Sequence, residues 1–553
     1  MVNPNLKKKS EQKITLTDNA KRLFQTVYRE QNKSEERNDN ISRINVSDLI
    51  SKMSFYYEKI RNTVDYKEEH LLRKNAIERI LRRLIVIEGT ISLKGVNSGE
   101  IAHSLLTELI RAAYLPNNAI PESKADEVAA VIQKYLDLKK AIKEDGSHGF
   151  EEKNDINGWI IALAASDIEE QLGRNKINQV LVGYMNEILL KNIVFPEDGA
   201  YENDKEIQVF LAIHRQLLKF DEDMLGFILF KYYNAGWRNP SQEKIRGVAK
   251  NISRLRQAID FQLDHPLLKQ LSRVVGRYTV FFSVLTDVIK ENPVAVYESI
   301  KKDPKAFPRD IKNICEKRYK ESRTRLWRAA VRSIIYIFIT KSLFVLFLEI
   351  PAIKLFGEEA NNFTLLVNIF FPAFLLFLIV LFTRLPSEDN SKKISEGIEE
   401  LVFEEKERQD HFQLRHPAKR GKGLSVFFGI LYSITFILSF GALIWILSRL
   451  NFTWVSILIF LFFLTFVSFF SIRIRKNAKE MIVIPSRENI FSFVGDFFYI
   501  PIVAVGKWLS EKFSQINVFV FVLDFIIEAP FKIFVEITEE WSRYVKERKE
   551  DIV

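Results

Sequence analysis

The chain is predicted to be all-α: a helical cytoplasmic domain followed by a multi-pass α-helical membrane domain. Two observations carry this. From Val46 to about residue 291 apolar residues recur at helical spacing, with almost no alternating stretch of the kind a strand requires. Beyond Ile334 four runs of about 20 residues are apolar all round, which a helix in a soluble core rarely sustains. With 553 residues the chain is also too long for one ordinary core.

The elements follow in order. Residues 1–45 are polar and charge-rich, with one short helix expected near Thr17–Gln31, and read as a flexible segment. Residues 46–308 read as the helical cytoplasmic domain. Ser47 can cap a helix carrying Leu49, Met53, Tyr56, Ile60 and Val64 on one face. Asp65 opens another through Leu72, Ile77, Leu81, Leu84 and Ile85. Asn97 with Glu100 caps Ile101–Leu115, which Pro116 ends. Further helices are expected at 122–144, 156–172, 176–192, 204–220, 222–233, 240–262 and 266–291, and Gly89–Gly95 is the one stretch that reads as a short strand or turn. Asn292-Pro293 starts a short helix, and Pro304 and Pro308 break the chain before a long one. No breaker then occurs until Pro351, so the basic neck, 309–332, should be continuous with the first span. At 1.5 Å per residue such a helix is roughly 60 Å long.

The spans are read at Ser333–Ile350, Phe363–Thr383, Leu424–Leu447 and Phe452–Ile472, within a membrane domain of residues 333–479. Lysine and arginine in the flanks set the expected orientation. Lys317 to Arg332 precede span one, the loop 384–423 carries nine cations such as Lys392, Arg415 and Lys422, and Arg473, Arg475, Lys476 and Lys479 follow span four. The short turns hold only Lys354 and Arg449. Both termini are therefore expected in the cytoplasm, with the chain in the cell (plasma) membrane. Lys7, Lys8 and Lys9 are not followed by an apolar core, so the first residues do not read as a signal peptide and span one should direct insertion. Asn362-Phe363-Thr364 and Asn451-Phe452-Thr453 match glycosylation sequons, which carry no meaning in a bacterium. The abundance of Lys, Ile, Asn and Phe points to an AT-rich bacterial genome.

Residues 480–553 read as two proline-containing amphipathic or re-entrant helices and a cytoplasmic tail. Asp496, Lys507 and Glu511 interrupt the first, and Asp524, Glu528, Lys532 and Glu536 form an i, i+4 stripe in the second. Val494-Gly495-Asp496-Phe497 and Val522-Leu523-Asp524-Phe525 match, each followed by a proline, Pro501 and Pro530. The helices would either lie in the cytoplasmic interface or span as a kinked hairpin; the spread of charge along the stripe favours the interface. Leu523-Asp524-Phe525-Ile526-Ile527-Glu528-Ala529-Pro530-Phe531, with Glu539-Glu540-Trp541 beyond, resembles the C-terminal region of uncharacterised multi-pass membrane proteins from candidate-phyla bacteria. The resemblance covers about a tenth of the chain. It implies a bacterial source and a shared C-terminal element, with no activity attached.

Catalytic signatures are few. There is no Walker-type phosphate loop, no Gly-x-Gly-x-x-Gly and no His-Glu-x-x-His, so no enzyme activity and no cofactor are expected. His411 and His416 make a poor metal pair, lacking a carboxylate or thiol in register, so no metal is expected. Glu169-Glu170 and Asp221-Glu222-Asp223 read as solvated charge, the latter also as a helix N-terminus. Cys315, the only cysteine, is read first as a packed stalk residue and second as an acidified thiol beside Lys317 and Arg318. The net charge of +10 sits largely beside the spans, so anionic headgroups are the expected partner and nucleic acid is not. Arg323, Arg325, Arg328, Arg332, Arg473, Arg475 and Lys476 are the candidate lipid contacts. Lys341 and Glu349 in span one, with Asp496, Asp524 and Glu528, are candidates to line a polar path. Alternatively Lys341 snorkels or pairs with Asp496 or Asp524. Asn368 and Pro372 read as helix contacts in span two.

Two functions are weighed. The first is a membrane-anchored scaffold or regulatory protein binding a cytoplasmic protein partner. The second is an ion or small-solute channel or transporter. Four spans enclose little space, so a pore would require a homo-oligomer. An enzyme acting on lipid ranks third.

Overall fold

In the computed structural model, residues 15–32, 42–62, 69–91, 97–145, 150–173, 175–196, 201–303, 306–359, 361–383, 385–406, 408, 410–417, 421–484, 490–515 and a few positions between 534 and 549 are described. The protein is all-α. It divides into two units: one of Gln25–Thr279 with Gln409–His416 and Val518–Val553, the other of Met1–Phe24, Val280–Arg408 and Pro417–Asn517. The second unit thus begins well before the Pro308 break at which the sequence divides.

The first unit is built from the rest of α1 (Asp18–Asn32), α2 (Asp48–Asn62), α3 (Glu69–Ile91), α4 (Ser98–Arg111), α5 (Ser123–Asp145), α6 (Phe150–Leu172), α7 (Lys176–Asn192), α8 (Lys205–Leu217), α9 (Glu222–Tyr233), α10 (Gln242–Lys250), α11 (Ile252–Leu263) and the start of α12 (Leu268–Glu291). Side-chain caps set several starts: Asn97 accepts from Gly99 N, Asn175 from Ile177 N, Asp221 from Met224 N and Ser241 from Lys244 N. The helix expected over 240–262 is two helices, because Asn251 ends α10 with its side chain on the Gly247 carbonyl. The stretch 89–95 is helical as far as Ile91; 92–96 lie outside the described residues. α6 is the central helix, buried on every side from Ile160 to Glu169. It packs on α3, α5 and α9. Its polar residues are satisfied: Ser166 donates to Ala162 O, and Asp167 receives Lys134 and Tyr135. Glu169, expected in water, is instead buried and takes two hydrogen bonds from Arg73. A two-residue parallel pairing of Ile193–Val194 with Phe412–Gln413 closes the unit.

The second unit contains α13 (Pro293–Lys302), α14 (Ala306–Phe344), α15 (Ile350–Leu355), α16 (Asn362–Leu381), α17 (Glu388–Val402), α18 (Lys422–Arg449), α19 (Trp454–Lys479) and α20 (Ile490–Gln515). Among the described residues four helices are long and apolar enough to cross a membrane: Ala306–Leu355, Asn362–Leu381, Gly423–Arg449 and Trp454–Lys476. Large apolar side chains stand exposed along them, such as Phe347, Ile437 and Trp445. This is the make-up of a multi-pass membrane protein. α14, α16 and α19 pack against one another, and α17 packs on α14. The connection 384–423, read as a loop, therefore carries a helix. Gly397 of α17 lies so close to the Phe281 ring that a Cβ there would overlap it. At the start of the described chain, Leu16 bridges Phe403 and Thr17 N donates to Val402 O, so part of the segment expected to be flexible is pinned.

α20, the first C-terminal helix, packs lengthwise on the last candidate span. Tyr499 donates to Ser468 O, whereas Gly506, seven residues on, abuts the Thr465 carbonyl. The helix therefore runs antiparallel along α19, and it also packs on α18. Only glycine fits at 506, where a Cβ would overlap the Thr465 carbonyl. Most of the second C-terminal helix, including Asp524, Glu528 and the stretch that carries the resemblance, lies outside the described residues.

Candidate intramembrane polar site

The helix that begins at Ala306 is not uniform. Val345–Glu349 form a π turn between α14 and α15, and Pro351 follows. A proline has no N–H, and its ring collides with the carbonyl four residues back; a wider turn relieves both. The π turn has a second effect. Ile337, Lys341, Val345, Glu349 and Ile353 are all buried. Positions four apart drift about 40° per step in an α-helix of 3.6 residues per turn. The wider π turn reverses part of that drift and returns Glu349 to the face of Lys341.

Lys341 and Glu349 are both fully buried, with Nζ 3.6 Å from Oε2. Glu349 Oε1 accepts from Ser456 Oγ of α19 at 2.6 Å and from Asn368 Nδ2 of α16 at 2.5 Å. Asn368 Nδ2 also lies 3.5 Å from Ser456 O. The Lys341 ammonium sits over the Phe463 ring, 4.3 Å from its centroid. One carboxylate thus ties three spans, and the lysine neutralises it. Capacity remains: Lys341 Nζ, Glu349 Oε2 and Asn368 Oδ1 are buried with no hydrogen-bond partner. Around the cluster the packing is apolar, with Ile353, Val455, Ile459 and Phe463 on one side and Ile337, Leu376 and Val467 on another.

Of the other expected path residues, Asp524 and Glu528 lie outside the described residues, and Asp496 does not join the site. Asp496 is exposed near the start of α20. It is not the partner of Lys341; Glu349, on the same helix, is. Asn368 was legible as a helix contact, but nothing in the sequence marked Ser456, an ordinary serine in the first turn of its span.

A second polar cluster forms where the neck meets α17. Asn390, 2% exposed, donates to Tyr319 OH and to Met481 O and accepts from Val483 N and Ile484 N. Both amide hydrogens and both oxygen lone pairs are used. Arg318 donates from Nε to Asp287, from Nη1 to Ser283 Oγ and from Nη2 to Ser283 O. The neck helix is thereby fastened to α12, to α17 and to the segment that follows span four. Cys315 is buried beside these groups, a packed residue.

In the first unit Lys74 is 1% exposed and faces Glu78, Asp221 and Asp223. Its pKa is raised: burial lowers it, but the three carboxylates outweigh that. Among the described residues no three His, Cys, Asp or Glu side chains come together as metal ligands.

Of the candidate lipid contacts, Arg323, Arg325, Arg328 and Arg332 are exposed on α14, Arg473 and Lys476 are exposed on α19, and Arg475 is half-buried. Comparison with protein-family models, with curated proteins and with solved structures finds no match.

Proposed function

We propose that the protein is a membrane-anchored scaffold or regulatory protein that acts through its helical unit on a cytoplasmic protein partner. The supporting observation is the closed state of the polar site. Lys341 and Glu349 satisfy each other's charge between packed spans, with Phe463 and Val467 beside them. Their work in this arrangement is to hold spans together, and the anchor they build carries a helical unit of its own. The density of lysine and arginine around the loop 384–423 and the neck supports cytoplasmic termini in the cell membrane. Anionic headgroups are then the first partner, and a soluble protein the second.

A channel or transporter is the alternative, favoured by one observation: three buried polar atoms of the site have unused hydrogen-bonding capacity. It would need several copies, since this site is closed in one. The deciding experiment pairs affinity capture from detergent extract with ion flux in liposomes holding the pure protein. The scaffold reading expects a stoichiometric cytoplasmic partner and no flux. Flux that Lys341→Ala abolishes, with no partner captured, overturns it.

A further inference from the structure

Two helical faces of the first unit leave large apolar side chains in the open. The first is on α2. Glu58 and Arg61 turn inward, where Glu58 accepts from Arg79 Nη2 at 2.6 Å and from Tyr114 OH at 2.9 Å. Lys52, Phe55, Tyr56 and Lys59 follow i, i+3, i+4, i+7 spacing and share the opposite face. All four are exposed, Tyr56 by 64%. Several exposed lysines on other helices have a carboxylate one turn away, as Lys302 has Glu298 and Lys393 has Glu396. Among the described residues Lys52 and Lys59 have none, and Lys59 stands over the Phe55 ring, 5.7 Å from its centroid.

The second face is near the C-terminus. The described positions of 534–549 are helical, and Thr538 Oγ1 donates to the Phe534 carbonyl one turn back. Phe534, Ile537, Trp541, Tyr544 and Val545 fall within an arc of about 100°. All are exposed, Trp541 by 65%. Glu540 and Glu547 border that arc on one side, both exposed and, among the described residues, without an ion-pair partner. A bilayer surface does not suit this helix. Residues 534–550 carry five acids and four bases, so an anionic leaflet has no net positive charge to attract.

The two faces complement each other. Lys52 and Lys59 are seven residues apart, and so are Glu540 and Glu547. Each pair spans about 10.5 Å, two turns of helix. Two helices crossing at a shallow angle bring both lysines to both carboxylates and close Phe55 and Tyr56 over Trp541 and its neighbours. Within one chain both faces are open, so neither covers the other. We propose that the C-terminal helix of one copy docks on α2 of a second copy. Since each copy carries both faces, two copies exchange their C-terminal helices and close a two-fold dimer. The contact goes beyond the scaffold reading and needs no cytoplasmic partner.

The test uses the full-length protein in liposomes, with donor- and acceptor-labelled copies mixed at several protein-to-lipid ratios. Energy transfer reports association, and the parent protein should associate. The Lys52→Glu, Lys59→Glu protein and the Glu540→Lys, Glu547→Lys protein should each bind themselves roughly tenfold more weakly, since each sets like charges face to face. Mixed with each other, the two variants should associate as the parent does, because both contacts regain opposite charges. Trp541→Ala, at an exposed position, should also weaken association by roughly tenfold. A parent that stays monomeric overturns the proposal. So does association that neither charge reversal nor Trp541→Ala weakens, which would place the contact between the spans. Loss in both variants without recovery in the mixture also overturns it, because the charges would then face a lipid headgroup or a different protein. None of these outcomes touches the scaffold reading, which capture of a cytoplasmic partner decides.

Discussion

At the residue scale, the Lys341–Glu349 pair sets a sharp expectation. Removing one member strands the other in an apolar bundle, whereas removing both takes away the charges together. Lys341→Leu or Glu349→Leu alone should destabilise the detergent-purified protein by roughly 3–5 kcal/mol, and the double substitution should lie within about 1 kcal/mol of the parent. Thermal unfolding of the four proteins measures the coupling. An additive result would mean that the two side chains do not depend on each other.

Two histidines of the helical unit give a pH dependence. His214 is held below its ordinary value by burial, against the Phe210 carbonyl it donates to. His265 is lowered by burial, which outweighs the attraction of Asp204 at 3.6 Å. Its Nδ1 accepts from Leu267 N, so the neutral ring fits the fold. A lowered histidine pKa means that the unfolded chain binds the proton more readily. The stability both lend is complete above the ordinary value of 6.5, declines as pH falls below it, and levels off beneath the depressed native values. Denaturant midpoints should therefore fall between about pH 7.5 and pH 5.5, and the fall should shrink in His214→Gln and His265→Gln proteins.

At the element scale, the amide of Asn390 fixes the backbone of Met481 to Ile484 as a neighbouring strand would. Asn390→Ala should free that segment while the spans stay folded. Amide hydrogen exchange at Val483 and Ile484 should rise by roughly tenfold, with the exchange of α19 unchanged. Spans and caps were legible because they depend on local rules: a run of apolar residues, or Asn97 three residues before Glu100. The π turn was not, because it answers to Pro351 and to which face meets α16 and α19. Nor was the packing of α20 on α19, which a single glycine against the Thr465 carbonyl allows. Ser456 shows the limit most plainly: its role exists only once three spans are in place.

At the scale of the whole molecule, each unit draws on distant stretches of chain. Phe412 and its neighbours complete the first unit by pairing with Ile193–Val194, and its ring meets Tyr278. Arg415 N and O bond the Gln270 side chain. Phe412→Ala should weaken that unit by roughly 1–2 kcal/mol, half the burial value of a full phenylalanine, as read by Trp237 fluorescence during denaturation. An unchanged midpoint would make the pairing incidental.

That pairing, with the docking of Thr15–Thr17 onto Leu401–Glu405, bears on biosynthesis. Thr15 N and its acceptor Glu405 are 390 positions apart. A ribosome adding about 5–20 residues per second leaves the start of the chain waiting roughly 20–80 s for its partner. The segment between the second and third spans thus acts as a timer. Neither unit can close until that segment has emerged, by which point half the spans have already been handed to the bilayer. A nascent protein stalled earlier exposes unfinished edges in both units, the state that a chaperone or a quality-control protease would meet.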